Sequence, residues 1–271
     1  MTSASSPYDA TLAELATRLP RLAAALQRAE QHRARSATSR MGGARFKGLD
    51  ELLRHLDELL LAFTANPTLC RLDFLIHRSR ADLETATEAT LSGYVAVAGD
   101  SMRDIMEIED LLLDFAVNPA HIDEWLTADW KTLLGKFSAA RVRARLHAAG
   151  EGLYSTTAES LGYRAHSTAI HVGPHRHPSP LVARGFVTDQ WASDSGFWEI
   201  FEHARRLLHA IQRVTDALTP GSAVDDIARQ ELADFQDAWR QTWEMQWIYV
   251  AMLKAIEKTQ TEESDQHDLP T

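Results

Sequence analysis

The residues best suited to chemistry lie together in one segment, residues 163–178, which reads YRAHSTAIHVGPHRHP. Four of the twelve histidines of the chain fall within these sixteen residues. Histidine exchanges a proton near neutral pH, and arginine keeps a positive charge that suits phosphate binding. The segment therefore combines proton carriers with anion ligands, and these residues are Arg164, His166, His171, His175, Arg176 and His177.

RNA cleavage is the first interpretation of this segment. Arg164 and His171 are seven residues apart, which places them two turns apart on one face of a helix. A histidine at a helix end can serve as general acid or base, and an arginine beside it can bind the scissile phosphate. Because the 2′-hydroxyl of RNA is itself the nucleophile, neither a metal nor a cofactor is needed. The pattern predicts a metal-independent endoribonuclease with Arg164 and His171 as catalytic residues and His166 as an auxiliary one.

Two other interpretations of the segment stay open. His171, His175 and His177 have a spacing that would suit a metal-binding loop, but no acidic or cysteine ligand lies nearby in the sequence. A purely structural role is the other interpretation, because histidine is favoured at a helix C-terminus by the helix dipole. We therefore predict no bound metal, and the choice between catalysis and structure is left to the tertiary arrangement.

A second feature is the pair Arg103 and Glu107, which are four residues apart in the run RDIME. As an ordinary helix surface pair it would contribute about 0.2–0.5 kcal/mol. Arg103 is, however, the one basic residue among twelve acidic residues between positions 82 and 130, and the apolar Ile105 and Met106 lie beside it. We expect the pair to be partly buried and to orient a functional site.

The elements that carry these residues are predicted to be helical. Apolar residues recur at three- and four-residue spacing along most of the chain, and no segment alternates like a half-buried strand. The sequence predicts an all-α bundle of about seven or eight helices in a single domain over residues 8–258. The lead 1–7 and the tail 259–271 are polar and are expected to be disordered.

The predicted helices are separated by glycine, proline and polar residues. We expect a kink at Pro20, a bend near Gly99 and loops over 36–47 and 173–195. The turn Thr219-Pro220-Gly221 is followed by Ser222 as an N-cap. The helices are placed at 8–35, 48–65, 81–117, around His121, Glu124 and Trp125, and at 129–148, 153–172, 196–218 and 222–258.

Charge is distributed unevenly along the 271 residues, whose formal net charge is −10. Residues 18–47 carry +7, residues 82–130 carry −11 and residues 136–184 carry +5. Such runs usually mark helices that face solvent or one another. A local basic face could also attract phosphate, so the two basic runs could guide RNA.

Composition excludes several classes of protein. A hydrophobic content of 45% is typical of a globular core and not of a disordered chain. The single cysteine, Cys70, excludes an internal disulfide and a cysteine-based zinc site, and its apolar neighbours predict a core position.

No apolar run approaches the roughly 18 residues of a membrane span, and no secretory signal is visible, so we expect a cytoplasmic protein. The nucleotide-binding, serine-hydrolase and zinc-protease motifs are absent from the sequence.

Two stretches resemble bacterial HEPN-like proteins. Residues 101–126 (SMRDIMEIEDLLLDFAVNPAHIDEWL) resemble the Arg-x-x-x-Glu helix of that family, and residues 160–174 (SLGYRAHSTAIHVGP) are similar to its later helix, which ends in a histidine before a turn. Arg164 and His171, with six residues between them, fit the upper limit of the family's Arg–His ribonuclease motif. The resemblance covers roughly residues 80–180.

The resemblance implies a HEPN-like core with N- and C-terminal helical extensions and a homodimer in which two Arg/His sets share a cleft. It also implies RNA as a ligand and a role in a toxin or antiviral defence system.

The alternative hypothesis is a non-catalytic helical interaction or regulatory protein that works as a homodimer or with a partner protein. Trp239, Trp243 and Trp247 form a stripe along the last predicted helix that would suit core packing or a subunit interface.

Overall fold

The computed structural model of this protein describes residues 7–40, 43–151 and 190–241. These residues form ten α-helices and a short 3-10 helix at Cys70–Leu72, and the described ranges contain no β-strand. The all-α prediction is therefore confirmed, with more helices than the seven or eight expected. The helices are α1 (Pro7–Arg18), α2 (Pro20–Arg40), α3 (Ala44–Ala65), α4 (Asp73–Ser92), α5 (Val95–Val117), α6 (Ala120–Leu126), α7 (Trp130–Lys136), α8 (Ala139–Ala148), α9 (Gln190–Leu218) and α10 (Ala223–Gln241).

The first two helices are one kinked helix, as the proline predicted. Helical hydrogen bonds continue across the junction, from Leu19 N to Leu15 O at 2.6 Å and from Ala23 N to Leu19 O at 3.0 Å. Pro20 has no N–H to contribute, which bends the chain without ending the helical path. Helix α1 begins at Pro7, within the lead that was expected to be disordered.

The predicted loop over 36–47 is wrong for most of its length, because α2 extends to Arg40 and α3 begins at Ala44. Tertiary contact explains the extension of α2. His32 Nδ1 donates to the backbone oxygen of Leu91 at 2.7 Å, and Ser36 is buried one turn further on. Residues 36–40 have no apolar stripe, so the sequence does not reveal this part of the helix. A serine hydroxyl can nevertheless be buried in a helix when it forms a hydrogen bond.

Helix α3 ends where Asn66-Pro67 predicted. The Oδ1 atom of Asn66 accepts hydrogen bonds from Thr68 N at 2.9 Å and Leu69 N at 3.2 Å, which turns the chain. Cys70 follows this turn and is exposed, contrary to the predicted core position. Its Sγ atom donates to the oxygen of Pro67 at 3.6 Å, so the turn directs the thiol outward.

The predicted helix 81–117 is two helices, and the break lies at Gly93 instead of near Gly99. Gly93 adopts φ 82°, a left-handed conformation that glycine takes without a Cβ penalty, and it ends α4. Gly99 stays within α5. The tight turn makes α4 and α5 an antiparallel hairpin, so residues at equal distances from Gly93 become neighbours.

The predicted helix 129–148 is also divided, into α7 and α8, because Ser138 adopts an extended N-cap conformation between them. Gly150, with φ 76°, follows the end of α8 as a C-cap glycine should. Helix α9 begins at Gln190, inside the predicted loop 173–195. The turn at 219–221 is confirmed, and Ser222 Oγ accepts from Asp225 N at 3.3 Å.

Five helices close the bundle in the order α3–α4–α5–α9–α10, with α10 returning to α3. The apolar core lies between them, and α8 packs on the outer side of α5. Gly196 permits the closest approach, since a Cβ atom there would lie 2.8 Å from Thr90 Cγ2. Helix α5 is therefore the central element, in contact with α4, α8 and α9.

Several sequence predictions fall outside the described residues. They concern the segment 153–172, the loop 173–189, the residues 242–258 of the last helix and the tail 259–271. Trp243 and Trp247 of the tryptophan stripe belong to this part of the chain.

Candidate functional site

The predicted catalytic residues Arg164, His171 and His166, and the alternative metal ligands His175 and His177, lie outside the described residues. The structure does describe Arg103 and Glu107, the pair expected to orient a site. Arg103 Nη2 lies 3.3 Å from Glu107 Oε1, and the two side chains are 27% and 40% exposed. The pair thus forms and is partly buried, and its role in a site stays a prediction.

Helix α4 brings a second arginine beside this pair. Arg78 forms a two-pronged ion pair with Asp104, from Nε to Oδ2 at 2.5 Å and from Nη2 to Oδ1 at 2.8 Å. The α4–α5 hairpin explains the meeting, because the turn at Gly93 places the middle of α4 beside the first half of α5. We name the group of Arg78, Asp82, Arg103, Asp104 and Glu107 the α4–α5 charged cluster.

Asp82 is the unusual member of the α4–α5 charged cluster. The pKa of Asp82 is raised from 3.8 to about 7, chiefly by burial and then by a hydrogen bond with Asp104 and the negative charge of Asp104, while the positive charge of Arg78 opposes the shift. Asp82 Oδ2 is shielded from solvent at the hairpin interface. At neutral pH the carboxyl group is therefore divided between its protonated and ionised forms.

The α4–α5 charged cluster has the properties of a proton-exchanging site. A carboxyl group with a pKa near the working pH can act as a general acid or base. When Asp82 is protonated, the two arginines balance Asp104 and Glu107, and its ionisation leaves one net negative charge. The cluster therefore has no net positive charge in either protonation state of Asp82. Across the ranges that the structure describes, no set of three or more His, Cys, Asp or Glu side chains is arranged to hold a metal ion.

The acidic residues further along α5 are used differently. Arg143 Nε lies 2.9 Å from Asp110 Oδ2, and Arg145 donates to both oxygens of Asp114 at 2.9 and 2.8 Å. His121 Nδ1 lies 2.9 Å from the same Asp114. Asp110 and Asp114 are almost fully buried, so their charges are balanced by the basic helix α8 and not by solvent.

A third buried carboxylate of α5 is balanced by α9. Arg206 reaches Glu109 Oε1 from Nε at 2.9 Å and from Nη2 at 2.8 Å, and both side chains are buried. His209, one turn further along α9, has a pKa lowered by burial and by the charge of Arg213. The acidic stretch 82–130 is thus partly explained by helices of opposite charge that face one another, as one sequence interpretation proposed.

Sequence reasoning missed Arg78 and Asp82. They are four residues apart on one face of α4, as many ordinary surface pairs are. A hairpin turn at Gly93 would have aligned them with Asp104, but the sequence predicts one helix over 81–117 with only a bend near Gly99. Gly93 was therefore the sequence signal that could have revealed the cluster, because it marks the turn between α4 and α5.

Among the exposed apolar side chains of the described residues, two groups of three succeed one another along the chain at three- or four-residue intervals. The leucine stripe consists of Leu19, in the junction between α1 and α2, and of Leu22 and Leu26 in the first turns of α2. The α6–α7 patch consists of Leu126, Trp130 and Leu134. Isolated exposed leucines are normal on protein surfaces, but aligned ones mark interaction surfaces more often.

Comparison of the chain with family models, with curated proteins and with solved structures finds no match. Within the described helices, none has a stretch long and apolar enough to cross a membrane.

Proposed function

We propose that this chain is a helical interaction protein that binds a partner protein along the leucine stripe of α2. The observation that carries this proposal is the alignment of Leu19, Leu22 and Leu26, which are 51%, 49% and 37% exposed. Leu22 and Leu26 are four residues apart and lie on one side of α2. Leu19 precedes them by three residues at the junction with α1, across which helical hydrogen bonds continue. A stripe of this kind is how an amphipathic helix fits into an apolar groove.

Charge favours an acidic partner. The stripe is flanked by the exposed arginines Arg18, Arg21 and Arg28, within a segment of net charge +7. Arg18 also pairs with Glu14 at 3.2 Å, but both side chains remain largely exposed. An acidic protein surface with an apolar groove would match both the leucines and the surrounding positive charge.

The test is purification of the full tagged chain from its native host, beside two variants. The triple variant Leu19→Ser, Leu22→Ser, Leu26→Ser removes the stripe, and Leu61→Ser removes a more exposed leucine from α3 as a control. We expect one stoichiometric partner with the wild type and the control, and its loss with the triple variant. A partner retained by the triple variant, or no partner with the wild type, would contradict the proposal.

A metal-independent endoribonuclease is the second candidate function, in a toxin or antiviral role. The specific observation in its favour is Asp82, which has a pKa of about 7. Asp82 belongs to the same α4–α5 charged cluster as Arg103 and Glu107, the pair that the HEPN-like resemblance singles out. In this hypothesis Arg164 and His171 carry catalysis, His166 assists them, and Arg103 and Glu107 orient the site.

The nuclease hypothesis is tested by incubating the purified chain with total RNA in EDTA. The matched variants are His171→Ala and Arg164→Ala, with Leu61→Ser as the control that retains all titratable groups. Cleavage by the wild type and the control alone would support the hypothesis. Equal cleavage by all four proteins would assign the activity to a contaminant. It would contradict the assignment of Arg164 and His171 as catalytic residues.

A further inference from the structure

We propose that the cavity between α3 and α4 binds a small organic amine in its protonated form. The cavity opens to solvent and has a volume of about 150 Å³. Leucines form most of its lining, three from α3 and one from α4: Leu49, Leu52, Leu53 and Leu83. We name it the α3–α4 cavity. The leucine stripe lies elsewhere, on α2 and its junction with α1, so this proposal goes beyond the proposed partner-binding function.

The floor of the α3–α4 cavity is apolar. Leu52 and Leu83 are each 1% exposed and belong to the core of the bundle, so the cavity extends from the surface to the core. An apolar cavity of about this volume can hold a molecule of the size of benzene. The body of the ligand is therefore a single ring or a short branched alkyl group, whose transfer out of water is favourable.

The rim of the α3–α4 cavity offers hydrogen-bond acceptors. Glu84, Thr87 and Glu88 of α4 complete the lining, and their spacing of three and four residues places them on one side of the helix. Thr87 Oγ1 already donates its hydrogen to the backbone oxygen of Leu83 at 2.8 Å, and an ionised carboxylate can only accept. The polar group of the ligand must therefore be a donor, and an ammonium group carries up to three N–H donors.

The arginine beside Glu84 does not cancel the negative charge there. Arg80 Nη1 lies 2.7 Å from Glu84 Oε1, but Arg80 Nε also lies 2.6 Å from Asp57 Oδ1. One guanidinium group thus serves two carboxylates, which leaves one surplus negative charge. The Glu84 side chain is 49% exposed, so its carboxylate is accessible to a ligand from solvent.

The same arrangement recurs at Glu88, because Arg33 pairs with both Glu88 and Glu30. Glu88 receives contacts from Arg33 Nη1 at 3.3 Å and from Ser92 Oγ at 2.9 Å, and both are made to Oε1. Its second oxygen, Oε2, is the one that a ligand would meet. Two surplus negative charges one helical turn apart, beside an apolar cavity, favour a cation over a neutral or anionic molecule of the same shape.

Two variants separate the charge of the site from its shape. The double variant Glu84→Gln, Glu88→Gln removes both charges and keeps the size of the side chains. Leu53→Phe enlarges a half-buried side chain of the lining and fills part of the cavity. Glu58→Gln is the matched control, because Glu58 is an exposed carboxylate of α3 that does not line the cavity.

The experiment is an NMR titration of the full chain at pH 7, with circular dichroism to show that each variant is folded. The probes are benzylamine, which is protonated at this pH, neutral benzyl alcohol and anionic benzoate. We expect the wild type and Glu58→Gln to bind benzylamine with a dissociation constant on the order of millimolar, at least about fivefold more tightly than the other two probes. The double variant should lose that preference, and Leu53→Phe should weaken the binding of benzylamine and benzyl alcohol alike.

Three results would overturn the proposal. The first is a wild type that does not bind benzylamine at millimolar concentrations, and the second is one that binds benzyl alcohol or benzoate equally well. The third is an unchanged affinity for benzylamine in the folded double variant. All of these results are independent of whether the leucine stripe binds a partner protein.

Discussion

The acidic side chains in two regions of α5 differ in how their charges are neutralised. Toward α8, Asp114 is 2% exposed and accepts three hydrogen bonds, two from Arg145 and one from His121. Toward α4, Asp104 shares its surroundings with a second carboxyl group, Asp82, which is only half-buried. The comparison shows that full burial among cations makes an acidic residue structural, whereas partial burial beside another carboxyl group makes one titrate near neutral pH.

The largest expected effect is that of Asp114→Ala. The substitution removes a buried carboxylate that Arg145, which is 29% exposed, and the nearly buried His121 share, and we expect a loss of about 3–5 kcal/mol in the free energy of unfolding. Urea denaturation of the purified chain measures it. Asp123→Ala is the control, because the Asp123 side chain is 75% exposed, and it should change stability by less than about 1 kcal/mol. A comparable loss of unfolding free energy in both variants would show that the buried pair stabilises the protein no more than the exposed one does.

The second prediction concerns the buried pair of Glu109 and Arg206. Glu109→Met alone removes the carboxylate that balances the buried guanidinium group of Arg206 and should cost about 3 kcal/mol or more. The double variant Glu109→Met, Arg206→Met should recover most of that loss, because apolar groups of similar volume often replace a buried ion pair without net cost. A double-mutant cycle by denaturation measures the recovery. Additive losses would show that the two residues act on stability independently.

Asp82→Asn should have a smaller effect that depends on pH. The pKa of Asp82 is raised in the folded state, from 3.8 to about 7, so the folded chain binds more protons than the unfolded chain between these values. This group therefore makes stability fall as pH rises from about 4 to 7, and the loss is complete above 7.

The asparagine variant should consequently be more stable than the wild type at pH 8, by about 1 kcal/mol after allowance for solvent screening. The two proteins should have similar stability at pH 4. Thermal unfolding at the two pH values makes the comparison, and an equal difference at both would show that Asp82 does not titrate in this range.

The smallest expected effect on stability is that of Arg103→Ala, at about 0.2–0.5 kcal/mol, since the pair with Glu107 is partly exposed and only four residues apart on one helix. If the nuclease hypothesis is right, the same variant should lower RNA cleavage severalfold while unfolding hardly changes. Parallel loss of stability and cleavage would assign Arg103 a structural role. Lys131→Ala on the exposed surface of α7 is the control for both measurements.

Local features of the fold could be predicted well from the sequence. Asn66-Pro67 ends α3, Pro20 kinks the first helix, and Ser222 caps α10, because each of these residues acts through its own backbone or side chain. The position of the α4–α5 turn could not be predicted from the sequence. Gly93 and Gly99 are both plausible breaks, and only packing of the hairpin selects one of them. The predicted pair of Arg103 and Glu107 was local and was found, while Asp82 and Arg78 were missed because their partner lies on another helix.

The helical class of this protein, the segregation of its acidic and basic residues and the turn at Asn66-Pro67 can all be read from the amino-acid sequence. Helix periodicity and capping depend on neighbours within a few residues, so they are visible along the chain. Which acidic residues are neutralised depends on helix packing, because Arg145 lies 31 residues from Asp114 and Arg206 lies 97 residues from Glu109. The energy of a charge depends on its burial and on the charges around it, and both are set by how the helices pack.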